Sequence, residues 1–235
     1  MPGHIPKQFD INTRFPTTDS KRWWFQYART WNCPLECMQC VAQVEYGGAE
    51  RQCTRKTCYS LPYCWQHLKL LAHLRIGRTR LVDPDTRERF KFLGLFACDT
   101  KSPRGVVFRA GDVIAPYIGH VITTRLLDAL YPGGDEVAPY VLSLDGDKHV
   151  DGACMRGVAA LANDAIPGST CVDDACTVNA EFLEPRGSYP QLVATRDILD
   201  GDEIFVSYGQ SYWEGDHESH TTAPAAAYEK VNYKC

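Results

Sequence analysis

From Ile76 onward the chain is a succession of short apolar runs broken by turn residues. The runs at 76–82, 92–98, 105–109, 112–118, 139–144, 191–195 and 203–208 are long enough for strands and too short for ordinary helices. Pro132-Gly133-Gly134 and Asp145-Gly146-Asp147 supply turn chemistry between them. Helical spacing is confined to two places. In CWQHLKLLAHL, Leu68, Leu70, Leu71 and Leu74 predict a short helix, and MRGVAALAN at 155–163 predicts a helical turn. The pattern predicts a mainly β, α+β fold of small sheets, with no internal repeat and no low-complexity tract.

The same pattern divides the chain. Residues 1–30 read as an extended lead-in whose Trp23, Trp24, Phe25 and Tyr27 pack on the rest of the protein. Residues 31–75 form a cysteine-rich module, 76–213 the main domain, and 214–235 a loosely ordered tail rich in His, Glu, Ala and Thr.

Composition narrows the class. The 235 residues are 44% hydrophobic and 23% charged, ordinary for a soluble globular protein. No apolar run reaches the length of a helical membrane span, about 18 residues. The opening MPGHIPKQFDINTRF has no continuous apolar core, so no secretory signal is expected. Eleven cysteines would suit a disulfide scaffold, but the number is odd and six fall between Cys33 and Cys64. A metal cluster in a reduced, intracellular protein of nucleus or cytoplasm fits better than a secreted one.

The net charge of −4 conceals a segregation. Residues 51–80 carry Arg51, Arg55, Lys56, Lys69, Arg75, Arg78 and Arg80 and no acid; residues 135–184 carry ten acids against Lys148 and Arg156. Such blocks are often plain solvated surfaces. An acidic face also attracts a basic peptide, and a basic one can meet the phosphates of nucleic acid.

The cysteine spacings are Cys33-x3-Cys37-x2-Cys40, then Cys53-x4-Cys58-x5-Cys64-x2-His67. A two-residue gap lets Cys64 and His67 fold back onto one ion, and Cys40 and Cys53 are the best candidates to complete a tetrahedral zinc site. Cys33, Cys37 and Cys58 with His73 could form a second site, or be buried free thiols. A closed four-ligand site would be structural, holding a module too small for its own core.

Three further segments belong together. They are Gly94-Leu95-Phe96-Ala97 leading to Gly111 through Gly119, then DGACMRGVAALANDA with Asn163 followed by Asn179, then GDEIFVSYGQSYW from Gly201. In this order and spacing they resemble the SET-domain protein-lysine methyltransferases, over roughly residues 76–213. The resemblance implies a SET-type β-clip of small twisted sheets, S-adenosylmethionine as methyl donor and a lysine in a histone tail as the leading substrate. By position, Tyr208 matches the catalytic tyrosine, which also touches the donor, and Tyr117 and Tyr140 match tyrosines lining the lysine channel. Backbone at Leu93-Gly94 matches the loop cradling the donor, Asn163 and Asp164 match the Asn-His pair beside it, and Tyr212 and Trp213 would roof the adenine. The chain departs from the pattern at Phe92, where a glycine is usual, and at Asp164, where histidine is usual. These departures motivate an alternative, a non-catalytic SET-like module that docks on chromatin or protein tails.

The implied chemistry makes modest demands. Lysine has a pKa of about 10.4, so roughly one in a few thousand is neutral at pH 7. A dry channel and a nearby sulfonium both disfavour the ammonium form. Phenol hydroxyls can then orient the amine, with aromatic faces and backbone carbonyls accommodating the growing charge.

Overall fold

The computed structural model describes residues 39–57, 61–82, 86–90, 93–99, 105–130, 140–152, 156–165, 170–171, 176–185 and 189–209. In chain order the strands are β1 (Gln43–Tyr46), β2 (Ala49–Gln52), β3 (Leu74–Arg78), β4 (Leu81–Val82), β5 (Leu93–Ala97), β6 (Val106–Phe108), β7 (Val113–Pro116) and β8 (His120–Thr123). There follow β9 (Val141–Ser143), β10 (Lys148–Asp151), β11 (Asn163–Asp164), β12 (Thr170–Cys171), β13 (Ala180–Leu183), β14 (Gln191–Ala194), β15 (Ile198–Leu199) and β16 (Phe205–Val206). Helix α1 (Trp65–Ala72) precedes β3, α2 (Thr124–Leu130) follows β8, and a 3-10 turn covers Val158–Leu161.

The mainly β class expected from the run lengths is the class observed. The sheets hold two or three strands each, the larger being β8-β10-β9 and β13-β14-β7. Among the described residues their pairings are antiparallel except one, β11 on β16. Leu95, Ala97, Val150, Leu192, Ile198, Ile204 and Val206 form the centre of the main core, and Leu61 and Leu68 join it from the cysteine-rich segment.

Where the elements differ from expectation, the cause is local. Leu74 belongs to β3, opposite Ala97, and not to the preceding helix. His73 takes a left-handed conformation (φ 54) and donates its N–H to the Leu68 carbonyl, which ends the helix one residue earlier. The β1–β2 hairpin has no apolar alternation, since its residues are exposed or at most half-buried. Its signal is Gly47-Gly48: both have positive φ (62 and 78), the two-residue turn that suits strand twist. Likewise β10 (KHVD) has one fully apolar residue, Val150, and is recognisable mainly from the Asp145-Gly146-Asp147 turn that pairs it with β9. Pro132-Gly133-Gly134 and the aromatics at 23–27 lie outside the described residues.

Candidate active site and metal centre

The parallel pair β11–β16 is a crossing of two chain segments, with Asn163 opposite Phe205 and Asp164 opposite Val206. Asn179 holds the other side. Its side chain accepts the Phe205 N–H (2.8 Å) and donates to the Glu203 carbonyl (2.9 Å), and its own N–H donates to the Phe205 carbonyl (3.0 Å). One amide thus does the work of a missing strand. Asn179 is buried, as suits a group whose donors and acceptors are matched.

Asn163 extends from the crossing to β5. Its Nδ2 donates to the Leu93 carbonyl and to Glu203 Oε1, each at 3.0 Å. Glu203, 2% exposed, is the hub of this region. Oε1 also accepts the Thr79 hydroxyl (2.7 Å), and Oε2 accepts the Arg80 N–H (2.5 Å). Burial raises its pKa above the usual carboxylate value, and the bonds from Arg80, Thr79 and Asn163 pull back against that rise. Gly94 faces the same carboxylate. A Cβ there would press into Oε1 and stand 2.8 Å from Glu203 Cδ and 3.0 Å from Asn163 Nδ2. The missing side chain expected at this position is therefore needed for packing against Glu203. Leu93, next to it, is half-buried.

Tyr208 follows β16. Its N–H donates to Asp164 Oδ2 (2.7 Å), its hydroxyl donates to the Ala162 carbonyl (2.9 Å), and it is 38% exposed. Asp164 is buried and anchors the tyrosine backbone. Tyr208, Asn163, Asp164 and Leu93 are thus brought together by direct hydrogen bonds.

Tyr117 and Tyr140 form a second group. The Tyr117 hydroxyl donates to the Tyr140 carbonyl (2.8 Å), which also accepts the Gly152 N–H (2.8 Å). The Tyr117 ring meets Phe182 edge-on at 5.3 Å. Tyr140 lies under the buried Arg156 guanidinium, 3.4 Å from the ring centroid, and Arg156 Nε donates to the Gly152 carbonyl (3.0 Å). That face of Tyr140 already carries a cation. Beside this group runs a cavity of about 300 Å³ between β9 and β13, lined by Leu142, Ser143, Leu144, Asp145, Phe182, Leu183, Glu184 and Pro190. Both strands are sheet edges, and the Asp145 N–H donates across to Glu184 (3.1 Å).

Glu203 and Arg156 were given no role by sequence reasoning. Glu203 stands after Gly201-Asp202 and directly before the apolar run Ile204-Phe205-Val206, where it reads as part of a turn. Tyr212, Trp213 and Phe92 lie outside the described residues.

The metal cluster assembles as the spacing predicts. The ligand atoms of Cys40, Cys53, Cys64 and His67 lie within 4.8 Å of one another, and the four residues are buried. His67 Nδ1 lies 3.3 Å from Cys40 Sγ and 3.5 Å from Cys64 Sγ, so Nδ1 is the nitrogen facing the sulfurs. Cys40 and Cys53 are held by backbone bonds from Cys40 to Arg55 (2.9 Å) and from Cys53 to Ala42 (2.8 Å), and Cys64 and His67 by the first turn of α1. Burial pushes the Cys40 thiol up to about 11. At Cys64 burial works in the same direction, but the His67 and Gln66 N–H groups and the neighbouring thiols outweigh it and bring the pKa below the usual thiol value. Burial and then the Arg55 charge lower that of His67, favouring the neutral, ligating imidazole. Three thiols and an imidazole with no open edge fit a structural zinc site, and these residues could hold the ion. Cys33, Cys37 and Cys58 lie outside the described residues, and His73 ends α1.

No protein-family model matches the chain, and no curated protein does. Among solved structures it is similar to a chain of an active polycomb repressive complex 2 in the basal state, with 19% identity and a TM-score of 0.40. The match covers 58% of this chain and 15% of that one, so the chain spans a small part of its neighbour's length. A likeness this distant bears on neither reaction nor partner.

Proposed function

We propose that the chain is an S-adenosylmethionine-dependent protein-lysine N-methyltransferase of the SET type, with residues 76–213 carrying the reaction and a histone tail as leading substrate. One observation carries the reading: Tyr208, Asn163-Asp164 and the main chain at Leu93, remote in sequence, meet through direct hydrogen bonds at the β11–β16 crossing. Leu93 is half-buried and Tyr208 partly exposed, so each keeps some contact with solvent.

Asn163, Asp164 and the backbone of Leu93-Gly94 would bind the donor, which supplies an electrophilic methyl group, and Tyr212 and Trp213 would cover its adenine. The Tyr208 and Tyr117 hydroxyls both spend their protons on backbone carbonyls, at Ala162 and Tyr140. The Tyr208 oxygen would then accept an N–H from the substrate amine and orient its lone pair toward the methyl carbon, with Tyr117 and Tyr140 lining the lysine channel. The buried Arg156 charge behind Tyr140 would further disfavour the substrate ammonium, easing loss of its proton to water. A basic peptide would lie between the open edges of β9 and β13, its cations toward Asp145 and Glu184. Zinc on Cys40, Cys53, Cys64 and His67 would be structural.

The test is methyl transfer to histone peptides with labelled donor, read by mass spectrometry. Tyr208→Phe should cut the rate by about a hundredfold or more while donor affinity changes little. Unimpaired turnover by that variant removes Tyr208 from the role. Calorimetry with the donor separates this reading from the non-catalytic docking module, which would show no saturable binding.

A further inference from the structure

Three of the seven cations in residues 51–80 are bound up with the fold. Arg75 lies over the Phe96 ring at 4.1 Å, Arg78 donates to the Phe90 and Arg89 carbonyls, and the Arg80 charge acts on Glu203, which its backbone N–H also binds. The other four gather around the cysteine cluster. Arg51 lies two residues before Cys53 and Arg55 and Lys56 two and three after it, all three exposed, while the half-buried Lys69 lies on α1 two residues past His67.

The hairpin β1–β2 sorts its side chains by face. Directly paired residues share a face, so Val44, Arg51, Tyr46 and Ala49 lie on one side and Gln43, Gln52, Glu45 and Glu50 on the other. Val44 packs on the cysteine core, which sets the first face on the side of the metal ligands. Its outer part presents Tyr46, 75% exposed, with Arg51. The acids are turned away. Trp65, 69% exposed, directly follows the ligand Cys64, and Lys69 stands one turn further along the same side of α1. Because the four ligand atoms lie within 4.8 Å of one another, hairpin base and helix start are drawn together.

We propose that this cation-and-aromatic face of Tyr46, Arg51, Trp65 and Lys69, with the exposed Arg55 and Lys56 next to it in the chain, binds single-stranded nucleic acid. The cations track phosphates, and the exposed rings stack on unpaired bases, whose π-faces are available whatever the sequence. An acidic peptide would satisfy the cations but make little use of two exposed rings. The site is separate from the methyl-transfer centre and stands or falls without it.

The experiment uses the full, zinc-loaded chain and a fluorescently labelled oligothymidylate of about 16 nucleotides, with binding read by anisotropy against salt. Binding should weaken with salt by about 0.7 logarithmic units per tenfold for each phosphate neutralised. Trp65→Ala should weaken it by about tenfold. Replacing Arg51, Arg55 and Lys56 together by Ala should flatten the salt dependence by about two such units, with methyl transfer to a peptide unchanged in both variants. Absence of binding at low salt overturns the proposal. So does equal affinity for a duplex of the same length, or wild-type binding by both variants.

Discussion

Around Cys40, Cys53, Cys64 and His67, four buried ligand atoms are crowded together while the hairpin leaving them is exposed on nearly every residue. Around Glu203, the buried carboxylate is matched by donors from Thr79, Arg80 and Asn163, and the main apolar core lies nearby. The first region has little apolar surface of its own, so an ion held by its four ligand residues would supply cohesion. The second is held by burial and by hydrogen bonds that would be costly to leave unmade.

The largest expected effect breaks this comparison at its first term. Removing metal with a chelator, or replacing Cys64 by Ser, should cost several kcal/mol of local stability, a part of the about 10–16 kcal/mol with which structural zinc binds elsewhere. Amide exchange should accelerate across residues 39–72 and change little in β13, β14 and β7. Leu61 and Leu68 reach into the main core, so some loss should spread to β3. Equal loss of protection in β14 would mean that the two regions unfold as one. Binding should also release protons: the Cys40 thiol, raised to about 11, is protonated at neutral pH, so zinc affinity should fall as pH is lowered.

A smaller effect tests the second term. Gly94→Ala sets a methyl against the Glu203 carboxylate and the Asn163 amide, and overpacking of this kind costs about 1–3 kcal/mol. If Glu203 is what the methyl meets, the penalty should shrink when Glu203→Ala is already in place, and urea unfolding of the four-member cycle measures the coupling. Additive effects would show that the clash lies elsewhere.

The two regions also differ in how far the sequence disclosed them. Cys64 and His67 sit on one helical turn, so spacing singled out that pair, with Cys40 and Cys53 the best candidates to complete a set that the structure brings together. Strands such as β5 and β14 were readable from their apolar runs; β1, β2 and β10 were not, because their residues are largely polar or exposed. At the crossing, Tyr208, Asn163 and Leu93 could be named only through resemblance. Glu203 escaped because its role depends on Thr79 and Arg80, more than 120 positions away, and on Asn163, 40 away. No local pattern encodes such a meeting.

The finest test of the buried polar centre is its response to pH. Burial raises the pKa of Glu203, so the native state keeps this proton to higher pH than the unfolded chain does. Its stabilising contribution is therefore full below the ordinary carboxylate pKa and is lost as pH rises through the raised value. Glu203→Gln cannot titrate, so the stability of the wild type relative to this variant should be greatest in acid and decline toward neutrality. The decline should be the smallest effect of the three, because Arg80, Thr79 and Asn163 already favour the charged form. Urea midpoints of both proteins across the acid-to-neutral range measure it. A difference that does not vary with pH would mean that burial is fully offset by those three donors, and a difference that grows with pH would mean that the hydrogen bonds outweigh burial at the centre of the crossing.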